Sequence, residues 1–194
     1  MLDEILLMIV VINPFSKMLF TILLCKEYSG KELLQIVVRS NAIALLILSI
    51  FSFAGYWILK EFFHISIYSL RIAGGIVLAK IGFDYLDKGA TFVVKRTKSL
   101  LEISAVPIAT PLIAGPAAIA TVVTISVESG VLASVIALSV GILINFLLMI
   151  FALVFSKRIG ETLIIVLIRI LGLFIMALGV EMLLSGVVGY LNLT

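Results

Sequence analysis

The chain has 194 residues, 63% of them hydrophobic and 13% charged, with a formal net charge of +3. Soluble domains carry about 25% charged residues, and the nearly charge-free runs 34–59, 103–127 and 130–155 each exceed the roughly 20 apolar residues that cross a bilayer core. This excludes a soluble globule. The small basic excess reads as loop charge and gives no support to nucleic-acid binding, and the single Cys25 excludes an internal disulfide.

Six helical segments are predicted in chain order, at about 5–25, 34–59, 66–87, 103–127, 130–155 and 162–186. The opening MLDEILLMIV lacks a basic leader and a small-residue cleavage site, so it is expected to be a true span. The longest connection falls near the middle and divides one membrane domain into a first three-span unit (1–87), a linker (88–102) and a second unit (103–194). Lys26, Lys31, Arg39, Lys88, Lys95, Arg96, Lys98, Lys157 and Arg158 fall in or beside the first, third and fifth loops. The positive-inside rule then places those loops in the cytoplasm and both termini outside, in a plasma (cell inner) membrane.

The two units echo one another. INPFSKMLFTI followed by YSG matches IAGPAAIATVVTISVESG, and RIAGGIVLAKIGFDYL matches RILGLFIMALGVEML. A unit of three spans is odd, so its second copy enters the membrane from the opposite side. The expected fold is therefore an all-α membrane protein of two inverted three-helix repeats, an arrangement found in secondary transporters.

The first and fourth segments carry prolines where a helix should be continuous. Pro14 lies near the centre of the first; Pro107, Pro111 and Pro116 crowd the fourth, with Gly115 before the last. A proline in a helix interior costs about 3 kcal/mol, and in lipid no water satisfies the carbonyl it strands. Both segments are expected to be discontinuous at the midplane, with half-helices offering N–H groups and carbonyls to a ligand. Asn13 is placed to cap the half-helix that follows it, and Gly115 to take backbone angles other residues avoid. A small zwitterion suits such a site, its carboxylate accepting from N–H groups and its ammonium donating to carbonyls. Simple kinks are the alternative at any one proline; two spans broken at matching positions favour a site.

At these residues the sequence resembles the MarC/SnatA family of small bacterial and archaeal membrane proteins. PLIAGPAAI is similar to the family's second signature, commonly PLIAGPGAI; INPFSKMLF resembles its first, and LRIAGGIVL also fits. The likeness runs from Asn13 to about Gly186 and departs at Ser16, Leu19 and Ala117, where relatives carry Gly, Pro and Gly. It implies the six-span inverted fold with discontinuous first and fourth helices, proton-driven carriage of small neutral amino acids such as glycine and alanine, and Asn13, Pro14, Gly115 and Pro116 as site residues.

Ser16, Thr110, Thr121 and Thr124 lie near the breaks and offer hydroxyls, although membrane Ser and Thr also bond back to their own helix. Asp84 and Glu181 are the candidate proton carriers, with solvated span ends as the alternative reading. Lys17 is either a carboxylate partner or a snorkelling surface lysine. Arg71 and Arg169 are either interface anchors or site residues, and His64 is expected on a surface loop. Gly75, Ala79 and Gly82, like Gly172, Gly179 and Gly186, form small-residue stripes that predict close helix packing. No motif of an enzyme, a metal centre or a cofactor site is present in the sequence. The lipid bilayer, a small amino acid and the proton are the expected partners, and a homo-oligomer is left open. A passive pore and a non-transporting regulatory subunit are the rival functions.

Overall fold

In the computed structural model residues 1–25, 27–62, 64–88, 99–155 and 161–191 are described, and every regular element among them is helical. Helix α1 (Leu2–Ile12) stops at Asn13 and α2 (Pro14–Leu24) starts at once beyond it. Helix α3 (Gly30–Tyr56) begins four residues earlier than the hydrophobic pattern suggests because a capping box sets its start. The Ser29 N–H donates to Glu32 Oε2 at 2.8 Å, and the Glu32 N–H donates to Ser29 Oγ at 3.4 Å. It runs on into a π-helical turn, Trp57–Phe62.

Helix α4 (Ile67–Lys88) matches the third predicted segment. The fourth is divided among α5 (Leu100–Ile103), a π-helical stretch (Ser104–Ile113) and α6 (Pro116–Glu128). Helices α7 (Val131–Phe155) and α8 (Glu161–Leu191) complete the chain, α8 running past the predicted end at 186.

Among the described residues, four stretches are long and apolar enough to cross a membrane: Leu2–Ile22, Gly30–Phe62, Val131–Val154 and Gly172–Leu191. Helix α4 has 22 residues, about 33 Å at 1.5 Å per residue. Its Arg71, Lys80, Asp84, Asp87 and Lys88 keep composition alone from marking it as a span. The fourth segment supplies two shorter apolar helices, Leu100–Thr110 and Pro116–Glu128.

Helices α4 and α8 make the most extensive contact of any pair, and glycine is the cause. A Cβ on Gly75 would lie 2.5 Å from the Gly179 carbonyl oxygen, and one on Gly82 would lie 2.6 Å from that of Gly172. Ascending numbers on α4 meet descending numbers on α8, so the two run antiparallel with backbones touching. The small-residue stripes pack as predicted. Helix α4 also abuts α6 through Gly74, whose added Cβ would meet Pro116 Cβ at 2.7 Å.

Helix α7 packs against α1, α2, α3 and α6. Met8, Ile12, Ile36, Val37, Leu48, Leu138 and Met149 form the buried centre there. At one end of the bundle the Ser129 hydroxyl donates to Glu4 Oε1 at 2.8 Å, which puts the start of α1 beside the end of α6. The loop cations Lys26, Lys95, Arg96, Lys98, Lys157 and Arg158, and most of the linker 88–102, lie outside the described residues.

Candidate functional site

The first break rests on one residue. Asn13 adopts the left-handed conformation (φ 52°, ψ 67°), and its N–H donates to the Ile9 carbonyl at 2.9 Å. It therefore ends α1 in the manner of an αL cap, a role asparagine tolerates better than most residues. The same residue opens α2: its Oδ1 accepts from the Ser16 N–H at 3.4 Å, the N3 donor an N-cap satisfies. The Ser16 hydroxyl donates to the Asn13 carbonyl at 2.9 Å.

Lys17 then reaches back, and its Nζ donates to the carbonyl of Ile12. Only 6% of Lys17 is exposed, so it does not snorkel. Its ammonium sits at the carbonyl end of α1, where a helix favours positive charge.

The second break is longer than the sequence suggested. Val106 (φ −135°, ψ 123°) and Thr110 (φ −134°, ψ 124°) are extended inside the π-helical stretch, and Gly115 is extended too (φ −79°, ψ 171°). Each of the three precedes a proline, whose ring disfavours the α region for the residue before it. The expected special role of Gly115 is thereby corrected: its angles are open to any residue, and the left-handed position belongs to Asn13. The Ala114 N–H closes the stretch by donating to the Ala109 carbonyl at 2.8 Å. Pro116 occupies the first turn of α6, where its missing N–H would have no helical partner anyway.

The two breaks meet. A cavity of about 30 Å³ is lined by Asn13, Ser16 and Lys17 from the first, and by Leu112, Ile113 and Gly115 from the second. A water needs at least about 10–15 Å³, so this cavity has room for a water or two and is too small for an amino acid. Val11, Leu78, Ala117 and Leu178 separate it from a larger cavity of about 300 Å³, which they also line. Arg71, Thr121, Thr124 and Glu181 face that second cavity. Arg71 and Thr124 in turn wall a vestibule of about 510 Å³ bounded by Lys60, His64, Tyr68 and Glu128. The three cavities thus follow one another from the end of the bundle that holds Glu128 to the breaks.

Asn13, Ser16 and Gly115 are therefore brought together, with Pro14 and Pro116 starting the two half-helices beside them. Thr121 and Glu181 share the middle cavity, one step away. Thr110, Asp84 and the exposed Arg169 line none of the three. Sequence reasoning missed Asn41 on α3 and Asn145 on α7, both buried and hydrogen-bonded to each other. A lone asparagine inside each of two long apolar spans is the signal that points to them. Among the described residues no group of His, Cys, Asp and Glu is arranged to hold a metal ion.

A family model described as "MarC family integral membrane protein" matches residues 1–191. A UPF0056 membrane protein of Pyrococcus horikoshii is 42% identical over 97% of this chain and 93% of its own. Another, of Methanocaldococcus jannaschii, is 32% identical over 93% and 92%. The UPF0056 membrane protein YvbG of Bacillus subtilis is 30% identical over 91% and 89%. No solved structure matches.

Proposed function

Since the chain belongs to the MarC family of integral membrane proteins, we propose that it is a secondary transporter of small neutral amino acids, glycine and alanine among them, driven by protons. The observation that carries this reading is the single cavity shared by two interrupted segments. Irregular backbone at membrane depth is tolerated only where protein buries it or a cavity receives it, and half-helix ends supply both signs of partial charge that a zwitterion needs.

The six-span inverted repeat belongs to the same proposal. Gly172 stands 97 residues after Gly75, and Gly179 stands 97 after Gly82; Gly75 touches Gly179 while Gly82 touches Gly172. Such reciprocal contact is what a two-fold axis between related helices produces. Helix α4 and the broken fourth segment count as spans in this reading. The start of α1 and the end of α6 lie at one end of the bundle, in keeping with a plasma-membrane topology that has both termini outside.

The break cavity is closed to an amino acid, so a transport cycle requires α4 and α8 to move against the broken segments. Asp84 and Glu181 remain the proposed proton carriers. The deciding experiment is uptake by purified protein in proteoliposomes: labelled glycine or alanine should accumulate above equilibrium when a proton gradient is imposed. Equilibration without accumulation would make the protein a pore, and no flux at all would make it a non-transporting subunit. Asp84→Asn and Glu181→Gln, assayed separately for gradient-driven uptake and for exchange, identify the coupling carboxylate; full concentrative uptake in both would remove the role from each.

A further inference from the structure

The middle cavity holds two opposite charges that do not meet. Arg71 projects from the second turn of α4 and Glu181 from α8, and both line the same space of about 300 Å³. Neither forms an ion pair among the described residues. Among the described residues the guanidinium has one polar partner, Thr124 Oγ1 at 3.3 Å, and it lies 5.9 Å from the centre of the Tyr68 ring. A guanidinium carries five N–H donors and is never neutral in a protein, so most of its donors remain uncommitted. The Thr121 hydroxyl, on the same cavity, makes no hydrogen bond among the described residues.

Opposite charges on the walls of one cavity offer complementary partners to the two ends of a zwitterion. We propose that this cavity is a second, outer binding site for a small zwitterion, with its carboxylate on Arg71 and Thr124 and its ammonium towards Glu181. The inference rests on the transport reading only for its place in a cycle. The middle cavity shares walls with the vestibule on one side and with the break cavity on the other, so a solute held there waits at the entrance to the breaks. A phospholipid headgroup of phosphate and ammonium offers the same pair of charges, and the experiment separates the two sources.

The test reads Arg71 directly. Detergent-purified protein is modified with phenylglyoxal, which attacks guanidinium groups, and the Arg71 peptide is quantified by mass spectrometry. Arms contain glycine, acetate, methylammonium or a short-chain phosphatidylethanolamine. Glycine should slow Arg71 modification at least tenfold at saturation, and acetate and methylammonium should do so much less. In Glu181→Gln the protection by glycine should fall below twofold, while Asp87→Asn, at an exposed carboxylate that lines none of the three cavities, keeps it. Equal rates with and without glycine would overturn the site. So would equal protection by acetate and glycine, which marks an anion site, or protection by the lipid in place of glycine. Proteoliposome uptake by the same preparation separates the two readings. Protection without uptake removes the transporter and leaves the site, and uptake without protection does the reverse.

Discussion

Asn145 donates its side-chain amide to Oδ1 of Asn41 at 2.8 Å across the α3–α7 contact, joining residues 104 apart in sequence. Asn41 passes the bond on to the Val37 carbonyl at 2.8 Å, and both amides approach the sulfur of Met149 at 3.4 Å. Asn41 is 4% exposed and Asn145 fully buried. A polar pair in an apolar bundle fixes which residues face each other, because any slip leaves the Asn145 amide and Asn41 Oδ1 without each other.

The pair should therefore behave as a unit. Asn41→Leu or Asn145→Leu alone leaves one buried amide without its partner and should cost about 1–2 kcal/mol. The double substitution should cost less than the sum, with a coupling of about 0.6–1.7 kcal/mol. Equilibrium unfolding in mixed micelles measures all four corners of the cycle. Strict additivity would show that the two side chains do not cooperate.

The α4–α8 contact makes a second, steric prediction. A methyl on Gly82 would lie 2.3 Å from the Met176 nitrogen and 2.6 Å from the Gly172 carbonyl oxygen, both backbone atoms that cannot rotate away. Gly82→Ala should cost about 1–3 kcal/mol, the range for overpacking. Gly55→Ala should cost less, because its nearest obstacle is the tip of the Val123 side chain. Gly30→Ala, with nothing within 4 Å, should be neutral or gain up to about 1 kcal/mol. A flat response across the three would mean that α4 and α8 are looser than drawn.

Orientation is tested in cells. In a Cys25→Ser background, a cysteine at exposed Glu61 should react with an impermeant maleimide in intact cells. One at exposed Lys31 should react only after permeabilisation. The opposite pattern would invert the topology and set aside the loop-charge argument.

Local rules were readable in advance; long-range ones were not. Asn13–Pro14 marks in two residues the point where α1 stops and α2 starts, and the Ser29-x-x-Glu32 box, equally local, sets the start of α3 at Gly30 where the hydrophobic pattern alone suggested 34. The fourth segment was read as a break at Gly115–Pro116, whereas the chain departs from α geometry from Ser104 onward. The same pre-proline rule, applied at Val106 and Thr110, accounts for the added length. The glycine stripes named a packing face without naming its partner. The Asn41–Asn145 bond, the Lys17 contact to Ile12 and the shared cavity of Arg71 and Glu181 depend on tertiary placement, to which periodicity is blind.

Lys17 separates stability from function. A hydrogen bond to a charged group contributes about 1.5–3 kcal/mol, but withdrawing an ammonium from water costs several kcal/mol. Desolvation is the larger effect, so Lys17→Met should melt at or above the wild-type temperature in detergent. If the cation belongs to the transport site, the same variant should lose most glycine uptake in proteoliposomes. A destabilised variant with full uptake would make Lys17 a structural cap and nothing more.

The two breaks should respond differently to removal of their key residues. Asn13 holds a left-handed backbone and supplies a cap through its own side chain. Asn13→Ala adds about 1–2 kcal/mol of left-handed strain and removes a cap worth about 1 kcal/mol. Asn13→Gly escapes the strain, so it should be the milder of the two. Pro116, by contrast, sits in the first turn of a helix that starts there regardless. Pro116→Ala should change stability by no more than about 1 kcal/mol. It should also leave the break in place, because Val106 and Thr110 remain extended ahead of Pro107 and Pro111. Thermal unfolding in detergent and glycine uptake should then rank Asn13→Ala as the damaging change and Pro116→Ala as the tolerated one. Loss of uptake in a folded Pro116→Ala protein would show that the second break depends on this single ring, and the account of a break distributed over three prolines would fail.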